Sequence, residues 1–134
     1  MAANILTLNN FVVKPGHSVE VEGFIPKDCK VFAINFGKDE NNLVLHFAPR
    51  FDHLGYKNTI ALNSMVDGVW GEEQRESFFP FQEGTDTTAC FKFEKDKIII
   101  ELNHLKPLTF LARFPVEEIS YLSVRELQAK SITL

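Results

Sequence analysis

Apolar residues recur with a period of two along almost the whole chain, and this alternation limits the possible folds more than any other feature. The pairs Val19/Val21, Val31/Ala33 and Phe91/Phe93, and the triplet Ile98/Ile100/Leu102, each place their side chains on one face of an extended segment. Turn-forming runs close these segments at Lys14-Pro15-Gly16, Gly37 to Asn42, Val66-Asp67-Gly68, Gln82-Glu83-Gly84 and Glu94 to Lys97. The last run predicts a hairpin joining Cys90–Phe93 to Ile98–Leu102. About ten or eleven strands at this spacing predict an all-β sandwich or barrel. Only Pro115-Val116-Glu117-Glu118-Ile119 combines an early proline with acids in a first turn, so one helical turn at most is expected there.

At 134 residues the chain is long enough for one core and too short for two, which predicts a single domain over 1–134. Thirteen Phe suit sheet packing. Closed ten-stranded fatty-acid-binding barrels have a similar length, but they carry a helix-turn-helix after the first strand. Here Pro15, Gly16, Gly23 and Pro26 oppose a helical pair in that stretch, so an open sandwich of two antiparallel sheets is expected. Strand patterning continues to Ile132 and Leu134, and both chain ends are expected in the sheets.

The net charge is −4 and the lysines are scattered among acids, which gives no footprint for nucleic acid or anionic lipid. No apolar run approaches membrane-spanning length, and Met1 to Leu8 carries neither a basic nor an apolar leader segment. Cytoplasmic synthesis without a signal peptide is expected, with Cys29 and Cys90 reduced and no disulfide framework. No Asn is followed two positions on by Ser or Thr in an acceptor pattern for N-glycosylation. His17, His53 and His104 show no ligand spacing with each other or with the cysteines, so neither metal nor cofactor is expected. Glu72, Glu73 and Glu76 raise the possibility of glycoside cleavage, which needs one carboxyl of raised pKa facing a second. With arginines beside it Glu73 is expected to stay ionised, so no enzyme activity is expected.

The informative stretch runs from His46 to Arg75. In His46-Phe47-Ala48-Pro49-Arg50-Phe51, alternation sends His46, Ala48 and Arg50 to one face and Phe47, Pro49 and Phe51 to the other. His53 falls on the opposite parity from Arg50 and is not counted with it. Imidazole and guanidinium two pleats apart can converge on one small hydroxylated ligand. Asn63 adds an amide that both donates and accepts. Glu73 and Arg75 again share a face, and Trp70, the sole tryptophan, can provide a flat apolar plate. Hexose rings stack their C–H-rich faces on such plates while their hydroxyls bond at the edge, so plate and polar row together describe a carbohydrate site. Charge-assisted bonds among Arg50, Glu73 and Arg75 would fix the donors in advance. Taken alone, Trp70 is more often a core residue and Glu73/Arg75 a surface ion pair of little value. Phe78-Phe79-Pro80-Phe81 reads as an inward turn on the core.

The order His46, Arg50, Asn63, Trp70, Glu73, Arg75, within the runs Asn58-Thr59-Ile60, Trp70-Gly71, Glu73-Gln74-Arg75 and Phe79-Pro80-Phe81, resembles the carbohydrate-recognition signature of the galectins. Within that family the chain looks most like the short single-domain forms of fish, the congerins among them. The resemblance implies a jelly-roll-like, concanavalin A-like β-sandwich with no chemistry performed on the sugar. It implies binding of β-galactosides such as lactose, a homodimer that cross-links glycans on cells or microbes, and non-classical export to the extracellular space. By the same resemblance His46 and Arg50 grip the axial hydroxyl of galactose, Asn63 and Glu73 hold its other hydroxyls, Trp70 stacks under the ring, and Glu73 with Arg75 reaches the neighbouring sugar. The edge segments Ile5–Leu8 and Ser131–Leu134 are candidates for pairing across a two-fold axis. Two positions depart from the pattern: Ala48 stands where the family has Asn, and Leu54 where it usually has His. They motivate two alternatives, a lectin shifted to another sugar such as a mannoside and an interaction protein with a vestigial sugar face.

Overall fold

A computed structural model describes residues 5–134. Twelve strands run in chain order as β1 (Ile5–Leu8), β2 (Ser18–Phe24), β3 (Ala33–Asp39), β4 (Asn42–His53), β5 (Tyr56–Val66), β6 (Val69–Trp70), β7 (Gln74–Glu76), β8 (Asp86–Phe93), β9 (Lys97–Leu102), β10 (Leu108–Leu111), β11 (Tyr121–Arg125) and β12 (Gln128–Thr133). They form two antiparallel sheets. One has the order β1-β11-β3-β4-β5-β6, with β7 also paired to β5, and the other has the order β10-β9-β8-β2-β12. The expected two-sheet sandwich is therefore present, with slightly more strands than expected because β6 and β7 are only two and three residues long. β1 and β12, the two terminal strands, each lie at a sheet edge.

Period-two burial generates this arrangement. Along β2 the pattern from Ser18 is exposed, buried, exposed, buried, with Val19 and Val21 inside. Between the sheets the phenylalanines interlock. Phe36 of β3 meets Phe91 and Phe93 of β8 at ring-centroid distances of 4.7 and 5.0 Å, and Phe47 of β4 meets Phe91 at 5.4 Å. Tilted and edge-on contacts of this kind add to the large area each ring buries. A second aromatic group, Phe32, Phe51, Phe79 and Phe81, closes one end of the core, so the Phe78–Phe81 run does turn inward. Asn103 pins that run: its Nδ2 donates to the Pro80 carbonyl at 2.8 Å, while its Oδ1 accepts from the Thr88 amide at 2.8 Å.

Two local expectations need correction. Residues 115–119 form no helical turn. Val116 and Ile119 are buried, and their amides donate instead to the carbonyls of Lys95 and Val13. Partners contributed by distant parts of the chain here outweigh the local helix-start signal. The Gly37–Asn42 stretch is mostly strand, with the turn confined to Glu40 and Asn41. Gly37 serves close approach rather than the turn itself, since a Cβ there would lie 2.0 Å from the Asn42 carbonyl oxygen. Pro49 lies in β4, an interior strand. Its carbonyl accepts from the Phe32 amide at 3.2 Å, but it has no N–H to return. The ladder between β3 and β4 is interrupted at that point and continues only as the isolated Val31–Arg50 bridge.

Phe36→Ala is expected to cost about 3–5 kcal/mol, because the ring is fully buried between two aromatic partners of the opposite sheet. Urea unfolding followed by far-UV circular dichroism measures it. A loss below about 1 kcal/mol would show that the sheets do not depend on this contact.

Candidate carbohydrate-binding site

Strand register arranges the site in transverse rows. Ser123 of β11 pairs with Asn35 of β3, Asn35 with His46 of β4, and His46 with Asn63 of β5, so four polar residues cross the sheet in line. The next row is small: Ala48 pairs with Ala61, and Ala33 packs against both. It is flanked by Arg125, paired with Ala33, and by Arg75, paired with Ala61. Beyond it, Arg50 pairs with Thr59. Among the described residues, all the buried polar ones except Thr87 belong to this region. Buried polar groups are costly unless bonded: Asn35 donates to Ser123, the Ser64 amide to Asn63 and Arg50 to Glu73, while Arg50 Nε is buried without a partner among the described residues.

Arg50 is 6% exposed and forms a bidentate pair with Glu73, Nη1 to Oε1 at 2.7 Å and Nη2 to Oε2 at 3.0 Å. Arg75 Nη1 adds a third contact to Glu73 Oε1 at 3.3 Å. The Tyr56 ring lies under both guanidiniums, 5.4 Å from Arg50 and 4.6 Å from Arg75. Hydrogen bonding from Arg50, then the positive charge of both arginines, holds the Glu73 carboxyl below the usual range, so it is ionised and accepts only. The planar fork fixes where the remaining N–H groups point.

His46 donates from Nδ1 to Asn35 Oδ1 at 2.6 Å, and Asn35 Nδ2 donates to Ser123 Oγ at 3.0 Å. Burial, reinforced by the positive charge of Arg50 and Arg125 and opposed by Glu73, pushes the imidazole down to about 4 from its ordinary 6.5. Asn63 is held from the far side of the sandwich. Its Oδ1 accepts from Arg113 Nη1 at 2.9 Å and from the Ser64 amide at 2.8 Å, and its Nδ2 donates one proton to the Gly71 carbonyl at 3.0 Å. The second amide proton remains for a ligand. Arg113, in the segment after β10, also donates from Nη2 to the Glu72 carbonyl. It lies so close to Gly71 that a Cβ there would meet Nη1 at 2.8 Å. The loop bearing Trp70 is thus clamped at the Gly71 and Glu72 carbonyls.

Trp70 is 48% exposed, so it is a surface plate rather than a core residue. Its ring centroid lies 4.6 Å from that of His46, which brings plate and polar row together. All six residues singled out from the sequence therefore meet on one face. Asn35, Ser123, Tyr56 and Arg113 were not foreseen, because their partners are distant in the chain and no local pattern marks them. The position of His53 also differs from the alternation argument. It borders, with Arg50, Arg125 and Glu126, a cavity of about 260 Å³ over Ala33 and Ala48. β4 ends at His53, so strict alternation no longer controls its direction. Leu54, in the turn that follows, is exposed.

The site offers a hydrogen-bond acceptor at His46, donors at Arg50, Asn63 and Arg75, an anionic acceptor at Glu73, and an apolar plate. A polyhydroxylated ring needs this mixture. Comparison with known proteins agrees: the family model described as galactoside-binding lectin matches residues 5–133. The chain belongs to the galectin family. A galectin-1 of the toad Rhinella arenarum is 44% identical over 96% of this chain and 96% of its own length. The structure of a toad ovary galectin in complex with thio-digalactose, 44% identical, superposes with a TM-score of 0.94 over 96% of each chain. CG-16, a homodimeric agglutinin from chicken liver, is 39% identical, with a TM-score of 0.93 over 97% of this chain and 98% of its own. Among the described residues of this galectin no group of three or more His, Cys, Asp or Glu is placed to hold a metal ion. No helix there is long and apolar enough to cross a membrane.

His46 links the site to stability. Its folded pKa of about 4 lies below the unfolded 6.5, so the unfolded chain takes up the proton first. The contribution is complete above the unfolded value and is lost as pH falls towards the folded one, by roughly 3 kcal/mol in all. Urea unfolding across this acidic range is expected to show the wild type losing that much more stability than His46→Gln. Parallel losses in the two proteins would place the titration elsewhere.

Proposed function

We propose that this chain is a lectin that binds β-galactosides such as lactose non-covalently on the face of the seven-stranded sheet. His46, Arg50, Asn63, Trp70, Glu73 and Arg75 would carry the contact. The observation that carries the reading is the meeting of a half-exposed indole with a row of already fixed donors and acceptors. His46 and Arg50 suit an axial hydroxyl that both donates and accepts, and Asn63 has one amide proton left for another. The galectin superposed above in complex with thio-digalactose supports a galactoside over a mannoside. Residues 1–134 would form one carbohydrate-recognition domain without catalytic activity, since an ionised Glu73 paired with two arginines has no proton to give a leaving group.

The experiment follows Trp70, the sole indole, during titration with lactose. Lactose is expected to perturb the emission, and mannose is not. Trp70→Ala, read by calorimetry, is expected to weaken lactose binding about tenfold while leaving the unfolding transition nearly unchanged, because the ring stacks on ligand rather than on the core. Retained affinity in that variant would reject stacking, and mannose binding with no lactose response would reject the galactoside.

A shallow sugar site gains from bivalency, so the working form would be a homodimer that cross-links glycans. Both terminal strands lie on sheet edges with apolar residues exposed, Ile5 and Leu6 on β1 and Leu134 after β12, and the superposed chicken agglutinin is homodimeric. Sedimentation velocity at micromolar concentration is expected to give twice the chain mass, with Leu6→Lys shifting it to the monomer. A monomeric wild type that still agglutinates cells would overturn this part. Synthesis in the cytosol and export by a non-classical route complete the proposal, and the unpaired state of Cys29 and Cys90 is consistent with a reducing compartment.

A further inference from the structure

Four residues stand in one transverse row, and two of them, Asn35 and Ser123, have no place in the contact proposed above. Both are buried, Asn35 at 7% and Ser123 at 2% exposure, too deep to bind sugar as His46 and Trp70 would. They form a directed chain. Ser123 Oγ accepts from Asn35 Nδ2 at 3.0 Å, and the amide oxygen faces His46, 2.6 Å from Nδ1. An amide oxygen only accepts, so a neutral imidazole in this contact carries its proton on Nδ1 and presents a lone pair at Nε2. Among the described residues Nε2 makes no hydrogen bond, and His46 borders both hollows that flank the row.

We infer that Asn35 and Ser123 are positioning residues that fix the tautomer of His46, so that the site admits only a sugar hydroxyl able to donate to Nε2. This rests on the lectin reading and deepens it: the row sets the direction of one hydrogen bond and hence the chemical class of group accepted. A group that only accepts, such as an ether or a fluoro substituent in place of the hydroxyl, would meet lone pair with lone pair. The charged groups around the imidazole are Arg50 on its own strand, Arg125 on β11 and Glu73 in front of β7. The two arginines and burial oppose protonation, so the wild-type tautomer persists through neutral pH.

The test is Asn35→Asp in the full chain, with lactose affinity read from Trp70 emission between about pH 5 and 8.5. A carboxylate against Nδ1 stabilises the imidazolium and raises the histidine pKa, and the cation presents a donor at Nε2 instead of an acceptor. Wild-type affinity is expected to stay flat over this range. The variant should match it within about threefold at the alkaline end, then lose about tenfold for each unit below its new histidine pKa. The His46 ring signals in NMR should titrate at that same pH. Ser123→Ala provides a second variant with little risk to folding. Without the hydroxyl the Asn35 amide can reverse, and long-range proton–nitrogen correlation is expected to show Nε2–H, with lactose bound about tenfold more weakly at every pH. A flat profile in Asn35→Asp with an unmoved His46 titration, or an unchanged tautomer and affinity in Ser123→Ala, would overturn the inference. Wild-type protein that fails to bind lactose at any pH would instead reject the galactoside reading itself.

Discussion

The register in which β11, β3, β4 and β5 pair controls everything the site can do. A slip of one residue would turn His46 and Arg50 into the core and bring Phe47 to the surface. Phe36 and Phe47 guard against this, because both lie fully buried against Phe91 and neither could be exposed without loss of the aromatic contact between sheets. Functional alignment is thus a by-product of core packing. The same pleat that hides the phenylalanines presents the polar row, and no separate device is needed to aim it.

Electrostatics then divides the labour among residues of similar type. Arg50 and Arg75 converge on Glu73, which fixes a carboxylate in its ionised form and a guanidinium in a single orientation. The same positive charge bears on His46 and helps keep it neutral. A small group of residues in one field therefore includes both a permanent anion and a neutral base near physiological pH, the combination needed to bond hydroxyls that must both give and receive protons. Tyr56 stabilises the pair of arginines by its ring face, where like charges would otherwise separate them.

The sandwich and the gathering of the six candidate residues on one face were legible because both are written in local pattern. Alternation along His46–Arg50 fixes a face, and the spacing from Asn63 to Arg75 brings the next strand and loop alongside. What lay outside that reach came from pairing across the chain. Ser123 and Asn35 are 88 positions apart, and Arg113 meets Asn63 across 50, so no window of sequence shows either contact. At residues 115–119 the local signal pointed to a helical turn, and burial of Val116 and Ile119 decided otherwise. Gly37 was misread for a related reason: glycine marks a turn and a close backbone approach alike, and only the neighbouring strand distinguishes them.

Arg113 gives the molecule a mechanical property beyond its bonds. It is anchored beside β10, at the rim of one sheet, with its guanidinium over the Phe110 ring, and it grips the loop that carries the indole on the other. The two halves of the sandwich are therefore yoked at the site. One guanidinium holds the rim of one sheet and the indole-bearing loop of the other in a single set of contacts.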